Sequence, residues 1–340
     1  TGGGAGGGYA AIQTAQTPNP PKSPLVRGDF CPSIYESDGS RISAKNINAY
    51  LVDAPDVFVE SRKMSLCAAP EMMTGNRPAD GGHLIVEDAD LADFIRVDTL
   101  AEKYIRRFVG SEEFINNKKR WCLWLAGVQP DELRRMPEVM QRIAACKKDR
   151  ENSPDAGRRK QAETPALFRE QIAPDSAFVV VPQVSSERRQ YIPIGFLPAR
   201  AIASNLLCII PKAGLYHFGI LTSGVHMAWT KVVCGRLKSD YRYSKDIVYN
   251  NFPWPEATDA QKTAIESAAQ AVLAARALFP DSSLADLYDP LTMPPELLKT
   301  HKTLDKTVMQ AYGFSPQASE AEMVAALMER YQALIGRLGS

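Results

Sequence analysis

Nowhere in its 340 residues does the chain gather the roughly 18 uncharged apolar residues that a membrane span needs, so no transmembrane helix is expected. Its first residues hold no basic stretch leading into an apolar one, so no secretory signal is visible. Cysteine is sparse. The six present, Cys31, Cys67, Cys122, Cys146, Cys208 and Cys234, lie far apart and form no CxxC pair. That pattern argues against a disulfide framework or a zinc site and predicts reduced thiols in a cytoplasmic protein. The four histidines, His83, His217, His226 and His301, show no metal-ligand spacing. His217 and His226 stand among apolar residues and are expected to be satisfied buried histidines.

Signatures of catalysis are missing as well. An amino-methyltransferase needs a glycine loop after a strand to hold S-adenosylmethionine. It also needs an Asn/Asp-Pro-Pro-aromatic motif, whose polar groups accept hydrogen bonds from the target amine while the ring stacks on the flipped base. Asn19-Pro-Pro-Lys22 lacks the aromatic residue, and neither it nor the glycine tract at 2–8 follows a strand. A magnesium nuclease needs carboxylates that converge on a metal. Pro174-Asp175 followed by Glu187-Arg-Arg189 is a loose match with arginine in the lysine position, and Pro55-Asp56 and Pro130-Asp131 show how readily that pair arises by chance. No Gly-x-Ser-x-Gly elbow occurs. No catalytic, cofactor-binding or metal residue is assigned.

What is present is an ordinary globular composition, 45% hydrophobic and 23% charged, with a net charge of only +1. The charge is unevenly spread. Residues 101–160 hold 15 Lys and Arg against 9 Asp and Glu, and residues 231–245 hold five basic residues and one acid. Over 256–329 the balance reverses, with 5 basic and 11 acidic residues. Such fluctuation is common on solvated faces, yet it also fits a basic face for a phosphate backbone with an acidic helical tail directed elsewhere.

The segment 1–43, with its glycine tract and four prolines between Pro18 and Pro24, reads as a flexible linker or tail. Beyond it, strands are expected at 84–86, 121–125, 178–181, 191–197 and 206–210. Asp88 is expected to cap a helix over 91–96, Pro137 to open one reaching about Arg150, and Thr164-Pro165 to begin another. Residues 215–233 look helical with a break at Thr222-Ser-Gly224, and helices follow at 264–278, 296–312 and 320–338. The expected fold is α+β: a mixed α/β domain over 44–255, then a helical domain over 256–340.

Two constellations suit nucleic acid. Ser185-Ser-Glu-Arg-Arg189 lies between strand-like runs, where a turn could present Glu187, Arg188 and Arg189 to a major groove. Arginine pairs bidentately with guanine, and glutamate accepts from the cytosine amine. A polar turn with a local ion pair is the plainer alternative. Lys231, Arg236, Lys238, Tyr241 and Arg242 mix cations with hydroxyls and rings, a combination suited to phosphate contacts. Lys118, Lys119 and Arg120 form a third basic group. Both could be solvated surface, the Lys118–Arg120 group more readily.

These segments resemble the target-recognition and C-terminal region of MmeI-like (type IIL) restriction–modification enzymes and related adenine-specific DNA methyltransferases. The likeness is carried in order by Asn46-Ile-Asn-Ala-Tyr-Leu51, Met72-Met-Thr-Gly-Asn-Arg-Pro-Ala-Asp-Gly-Gly82, Lys103-Tyr-Ile-Arg106, Gly110-Ser-Glu-Glu-Phe-Ile115 and Arg120-Trp-Cys-Leu-Trp-Leu125. It continues through Val184-Ser-Ser-Glu-Arg-Arg189 with Tyr191-Ile-Pro-Ile-Gly195, and Tyr216-His-Phe-Gly-Ile-Leu-Thr-Ser223 through to Asn250-Asn-Phe-Pro-Trp-Pro255. Leu287-Tyr-Asp-Pro290, Met293-Pro-Pro-Glu-Leu297 and Leu304-Asp305 complete it.

The resemblance implies a module that reads double-stranded DNA for an adenine-N6 methyltransferase. S-adenosylmethionine would be bound by a catalytic domain in the same or a separate polypeptide, and a nuclease could precede both. Glu187, Arg188 and Arg189 become candidates for base contacts. Lys118, Lys119, Arg120, Lys231, Arg236, Lys238, Tyr241 and Arg242 become candidates for backbone contacts. This chain alone is not expected to transfer methyl groups. Two alternatives stay open: a specificity subunit docking on a separate methyltransferase through its acidic helices, and a cryptic nuclease.

Overall fold

The computed structural model describes residues 32–35, 39 and 41–338. The glycine and proline tracts, Asn19 with its prolines, and Cys31 lie outside them. Among the described residues no helix is long and apolar enough to cross a membrane.

Strand Phe178–Pro182 is buried along its whole length. Its apolar run has no polar alternation because both faces are covered. Val179 and Val181 face the main core, while Phe178 and Val180 join Val109, Ala203, Leu207 and Ile209 on the other side. The strand is central to an antiparallel sheet in the order Met73–Thr74, Leu207–Ile210, Phe178–Pro182, Gly195–Leu197.

A second sheet runs Ile202–Ala203, Ile105–Val109, Arg120–Leu123, Ile85–Glu87, with only the first pairing parallel. Helices Leu91–Val97 and Pro137–Glu151 bring Phe94, Val139 and Ile143 to a core shared with Val86 and Leu123. Gly75 and Asn76 bridge the two sheets. A Cβ on Gly75 would stand 2.3 Å from the Ser204 carbonyl oxygen, while the Asn76 amide donates to Ile172 O and accepts from Ile172 N–H. This explains the Met72–Gly82 motif as structural.

Helix Gly224–Val233 begins where expected, with Ser223 capping His226 N–H. Helices Asp259–Ala277, Pro295–Tyr312 and Glu320–Leu338 follow. Thr258 and Gln261 cap the first reciprocally, and Gly313 ends the second at φ 73°. Their apolar faces do not form a core of their own. Ile265, Ala269, Val272, Leu304 and Tyr331 join Val179, Phe218, Trp229 and Phe252 in one cluster. Gly219 permits the close approach, since a Cβ there would meet Ile265 Cγ2 at 2.8 Å.

Three expectations fail, each for a local reason. Asp88 does not cap the helix; its carboxylate accepts the Trp121 indole N–H at 2.7 Å instead. Thr164-Pro165 opens no helix, because the Thr164 N–H closes a 3-10 turn at Gln161–Glu163 by donating to Gln161 O, and its carbonyl is taken up by Arg150. The strand expected at 191–197 is reduced to Gly195–Leu197. Pro193 offers no N–H to a ladder, and Tyr191, Ile192 and Ile194 turn into the core instead.

Candidate nucleic-acid interface

At Gln183 the buried strand leaves the central sheet. Gln183 N–H still donates to Leu206 O, but its carbonyl accepts from Tyr243 N–H at 2.7 Å. The next residues, Val184–Ser185, enter a small antiparallel sheet with Asp240–Arg242, which pairs in turn with Gly235–Leu237. Two groups of residues 50 positions apart in sequence, the Ser185–Arg189 segment and the basic hairpin, therefore share one sheet.

Ser186 to Arg189 form a turn in which Arg189 N–H donates to Ser186 O at 3.2 Å. Glu187 N–H donates to the Asp240 carboxylate at 3.3 Å, tying the turn to the neighbouring strand. Glu187 and Arg188 are exposed, and their side chains meet no hydrogen-bond or ion-pair partner among the described residues. Arg189 is half-buried. Burial pulls its guanidinium below the ordinary arginine range, while the charges of Asp289 and Asp240 work the other way. Asp289, from the C-terminal region, thus adds its charge to the surroundings of this turn residue. Neither Asp240 nor Asp289 was singled out from sequence. The Lys238-Ser239 pair between two short runs was the available hairpin signal for Asp240; Asp289 lay within the Leu287-Tyr-Asp-Pro290 motif, but nothing in the sequence put it near the turn.

The hairpin sorts its own cations. Arg242 and Lys238 are exposed, and their side chains have no described partner. Lys238 occupies the tight turn at φ 57°, a left-handed conformation that costs a lysine about 1–2 kcal/mol. Arg236 lies over the Tyr241 ring at 4.1 Å and donates to the carbonyls of Ser239 and Lys231. Tyr241 is buried beneath it and supports the sheet, which removes it from the phosphate-contact set. Lys231 pairs with Glu320 at 2.6 Å, so its charge is already committed to the last helix.

The third basic group does not join this surface. Arg120 opens an interior strand of the second sheet, held by Glu113 at 3.0 Å and over the Phe108 ring. Glu113 also accepts Gly110 N–H at 2.7 Å, so Arg120 is a structural part of that corner. Lys118 pairs with Glu112, which pushes the Lys118 pKa up and the Glu112 pKa down. Only Lys119 is exposed and without a described side-chain partner.

His226 and His301 are buried fixtures, while His217, expected to be buried, is only half-buried. His226 Nε2 meets the Tyr243 hydroxyl at 3.0 Å, and burial pulls its pKa down to about 3. His301 Nε2 meets the Tyr288 hydroxyl at 2.7 Å, and His217 Nδ1 accepts Gly214 N–H. Burial raises the thiols of Cys146 and Cys234 to about 11 and that of Cys208 to about 12. Asp175 and Glu187 belong to no group of three or more His, Cys, Asp or Glu placed to hold a metal among the described residues.

The Asn250-Asn-Phe-Pro-Trp-Pro255 motif is a clamp. Asn250 and Asn251 donate their amides to the Arg62 and Glu60 carbonyls, and the Tyr249 hydroxyl donates to Pro70 O. An otherwise ladder-free extended segment is thereby held against the core.

Comparison with known proteins places this geometry in context. Residues 53–256 match the family described as "MmeI, target recognition domain", and residues 257–339 match "MmeI, C-terminal domain". DNA methyltransferase A of Bacillus subtilis (strain 168) is 40% identical over 300 residues, 88% of this chain and 34% of that protein. The solved structure of the type IIL restriction-modification enzyme MmeI in complex with DNA superposes with a TM-score of 0.83 at 45% identity, covering 87% of this chain and 40% of that one. The chain thus spans about a third of the curated relative and two fifths of the solved one.

Proposed function

Because the chain belongs to the family of MmeI target-recognition and C-terminal domains, we propose that it reads duplex DNA sequence on behalf of an adenine-specific methyltransferase. The observation that carries this reading is the small sheet. It sets an exposed turn bearing one carboxylate and two guanidinium groups beside a hairpin bearing unpaired cations. A surface built only to hold phosphates gains nothing from Glu187. A surface that distinguishes bases does, since glutamate accepts from cytosine and arginine donates to guanine. The hairpin cations Lys238 and Arg242 then fix register on the backbone, which carries no sequence information. The likeness to MmeI, solved with DNA, supports the same reading.

In this reading methyl transfer to adenine N6 and the binding of S-adenosylmethionine fall to a catalytic domain outside these residues. That domain would present the target base after it leaves the stack. The apolar faces of the acidic helices are already occupied by the shared core, which favours their service to the recognition surface over docking on a separate subunit.

The test is selection of duplexes from a randomised pool by the full chain, followed by titration of the selected and scrambled duplexes at several salt concentrations. Enrichment of one short site, with a steep loss of affinity for both duplexes as salt rises, is expected. Recovery of no preferred sequence would refute base reading.

A further inference from the structure

The recognition turn is exposed, yet the chain is anchored deep inside two residues after Arg189. Tyr191 is almost wholly buried. Its hydroxyl donates to Asp305 Oδ2 at 2.6 Å, and Asp305 Oδ1 accepts Gly224 N–H at 2.6 Å. Its ring is stacked on His301 at 4.1 Å with an interplanar angle of 20°. His301 meets the Tyr288 hydroxyl, which accepts from Arg276, and Arg276 also donates to Ile194 O at 2.7 Å. Asp305 and His301 thus hold the Tyr191 side chain, and Arg276, braced by Tyr288, holds the Ile194 carbonyl.

The entrance is held as firmly. Ser185 pairs with Tyr241, and Glu187 N–H reaches Asp240. Each residue spans at most about 3.3–3.6 Å, so the link from Arg189 to Tyr191 leaves little slack between an anchored tyrosine and a guanidinium. The residue that follows Tyr288 in the grip is Asp289, one of the two carboxylates whose charge acts on Arg189. The same short segment of the C-terminal region therefore holds the turn's exit and flanks one of its reading groups.

We propose that Tyr191 and Asp305 are positioning residues for base discrimination, so that the helix Pro295–Tyr312 sets the geometry with which Glu187 and Arg189 meet base edges. This deepens, and rests on, the assignment of base reading to that turn. Base contacts demand placement to within about half an ångström, whereas phosphate contacts from flexible lysines do not. Loosening the anchor therefore degrades discrimination while sparing general affinity.

The experiment compares the full chain with its Tyr191→Phe, Asp305→Asn, Asp305→Ala and Glu187→Ala variants. Each is read by selection from the randomised duplex pool, by affinity for a scrambled duplex, and by thermal midpoint. Tyr191→Phe removes one hydroxyl and keeps the buried ring. It is expected to reduce, at least about threefold, the preference at the base pair that Glu187→Ala alters, with affinity for scrambled duplex unchanged. Asp305→Ala is expected to do the same or more. Asp305→Asn can still accept from Gly224 N–H and donate to the Tyr191 oxygen, and is expected to retain most of the preference. If Tyr191→Phe lowers the thermal midpoint but leaves the preference profile intact, the pair is structural only and the proposal falls. If Asp305→Ala does not fold, Tyr191→Phe decides alone. If Glu187→Ala itself alters no position, the base-reading assignment fails and takes this proposal with it, an outcome distinct from failure of the anchor.

Discussion

The guanidinium of Arg236 lies over the ring of Tyr241, 4.1 Å from its centroid, across the two strands of the basic hairpin. This contact divides the hairpin's cations into one that builds the surface and two that remain to use it. Lys238→Ala and Arg242→Ala should each weaken binding to every duplex to the same degree and lower the salt dependence by about one phosphate contact. Arg236→Ala should instead lose about 0.5–1 kcal/mol of stability. A titration series over salt with selected and scrambled duplexes checks both. A base-dependent effect at Arg242 would reassign it.

Because Lys238 sits at φ 57°, its charge and its conformation can be separated. Lys238→Gly should relieve the turn and raise stability slightly, by up to about 1 kcal/mol, while still weakening DNA binding as the alanine variant does. Denaturant melts paired with anisotropy titrations test this. Affinity retained in the glycine variant would mean that the lysine serves only the turn.

Glu187→Ala and Arg189→Ala should alter preference at one base pair each, by about 1–3 kcal/mol for a bidentate contact. Arg189 carries a second consequence, since the charges of Asp240 and Asp289 act on it. Asp289→Asn should therefore shift the preference of Arg189 without abolishing it. Equal weakening on all sequences for either turn variant would contradict a base-reading role.

Arg150 is fully buried and makes no ion pair among the described residues. All five of its N–H groups donate to backbone carbonyls: Pro78, Ala79, Gln161, Thr164 and Leu167, at 2.8–3.0 Å. Gln161 O and Thr164 O also accept the backbone N–H groups of Thr164 and Leu167, so Arg150→Ala strips the Pro78, Ala79 and Leu167 carbonyls of their donor, at about 1–3 kcal/mol apiece where water cannot reach. A loss of at least about 4 kcal/mol, or failure to fold, is expected. Arg150→Lys, with three donors, should recover only part of it. Urea denaturation provides the measurement, and a loss under about 1 kcal/mol would refute the account.

Acid should destabilise the fold through its histidines. Burial holds His226 down to about 3, and His217 and His301 also lie below the ordinary value. Their folded pKa values are below the unfolded one near 6.5, so the unfolded chain binds more protons as pH falls. The stability is complete above about pH 6.5 and is lost progressively toward pH 3, at up to about 1.4 kcal/mol per pH unit for each proton. Asp305, raised by burial, works in the opposite sense. Denaturation between pH 7 and 5 should show falling stability, less steeply in His226→Gln. A flat profile would mean that these rings are accessible.

Local chemistry made much of this protein legible in one dimension. Ser223 and the break beside it, Pro137 at a first helical turn, Gly313 past a last one, and the unbroken apolar run at 178–181 act within a few residues of themselves, so order in sequence was enough to place them. The turn at Ser185 to Arg189 and the cationic stretch near Arg242 could likewise be seen as segments. Their union on one sheet could not, because strand pairing depends on which backbone donors remain free after Gln183 leaves the central sheet. Nor could the fates of individual charges be read. Lys231, Arg120 and Lys238 look alike along the chain, but Glu320, Glu113 and open solvent are what distinguish them. Proximity across about a hundred residues, as between Tyr191 and Asp305, arises only when the helices share a core with the sheet, and that was decided by tertiary packing alone.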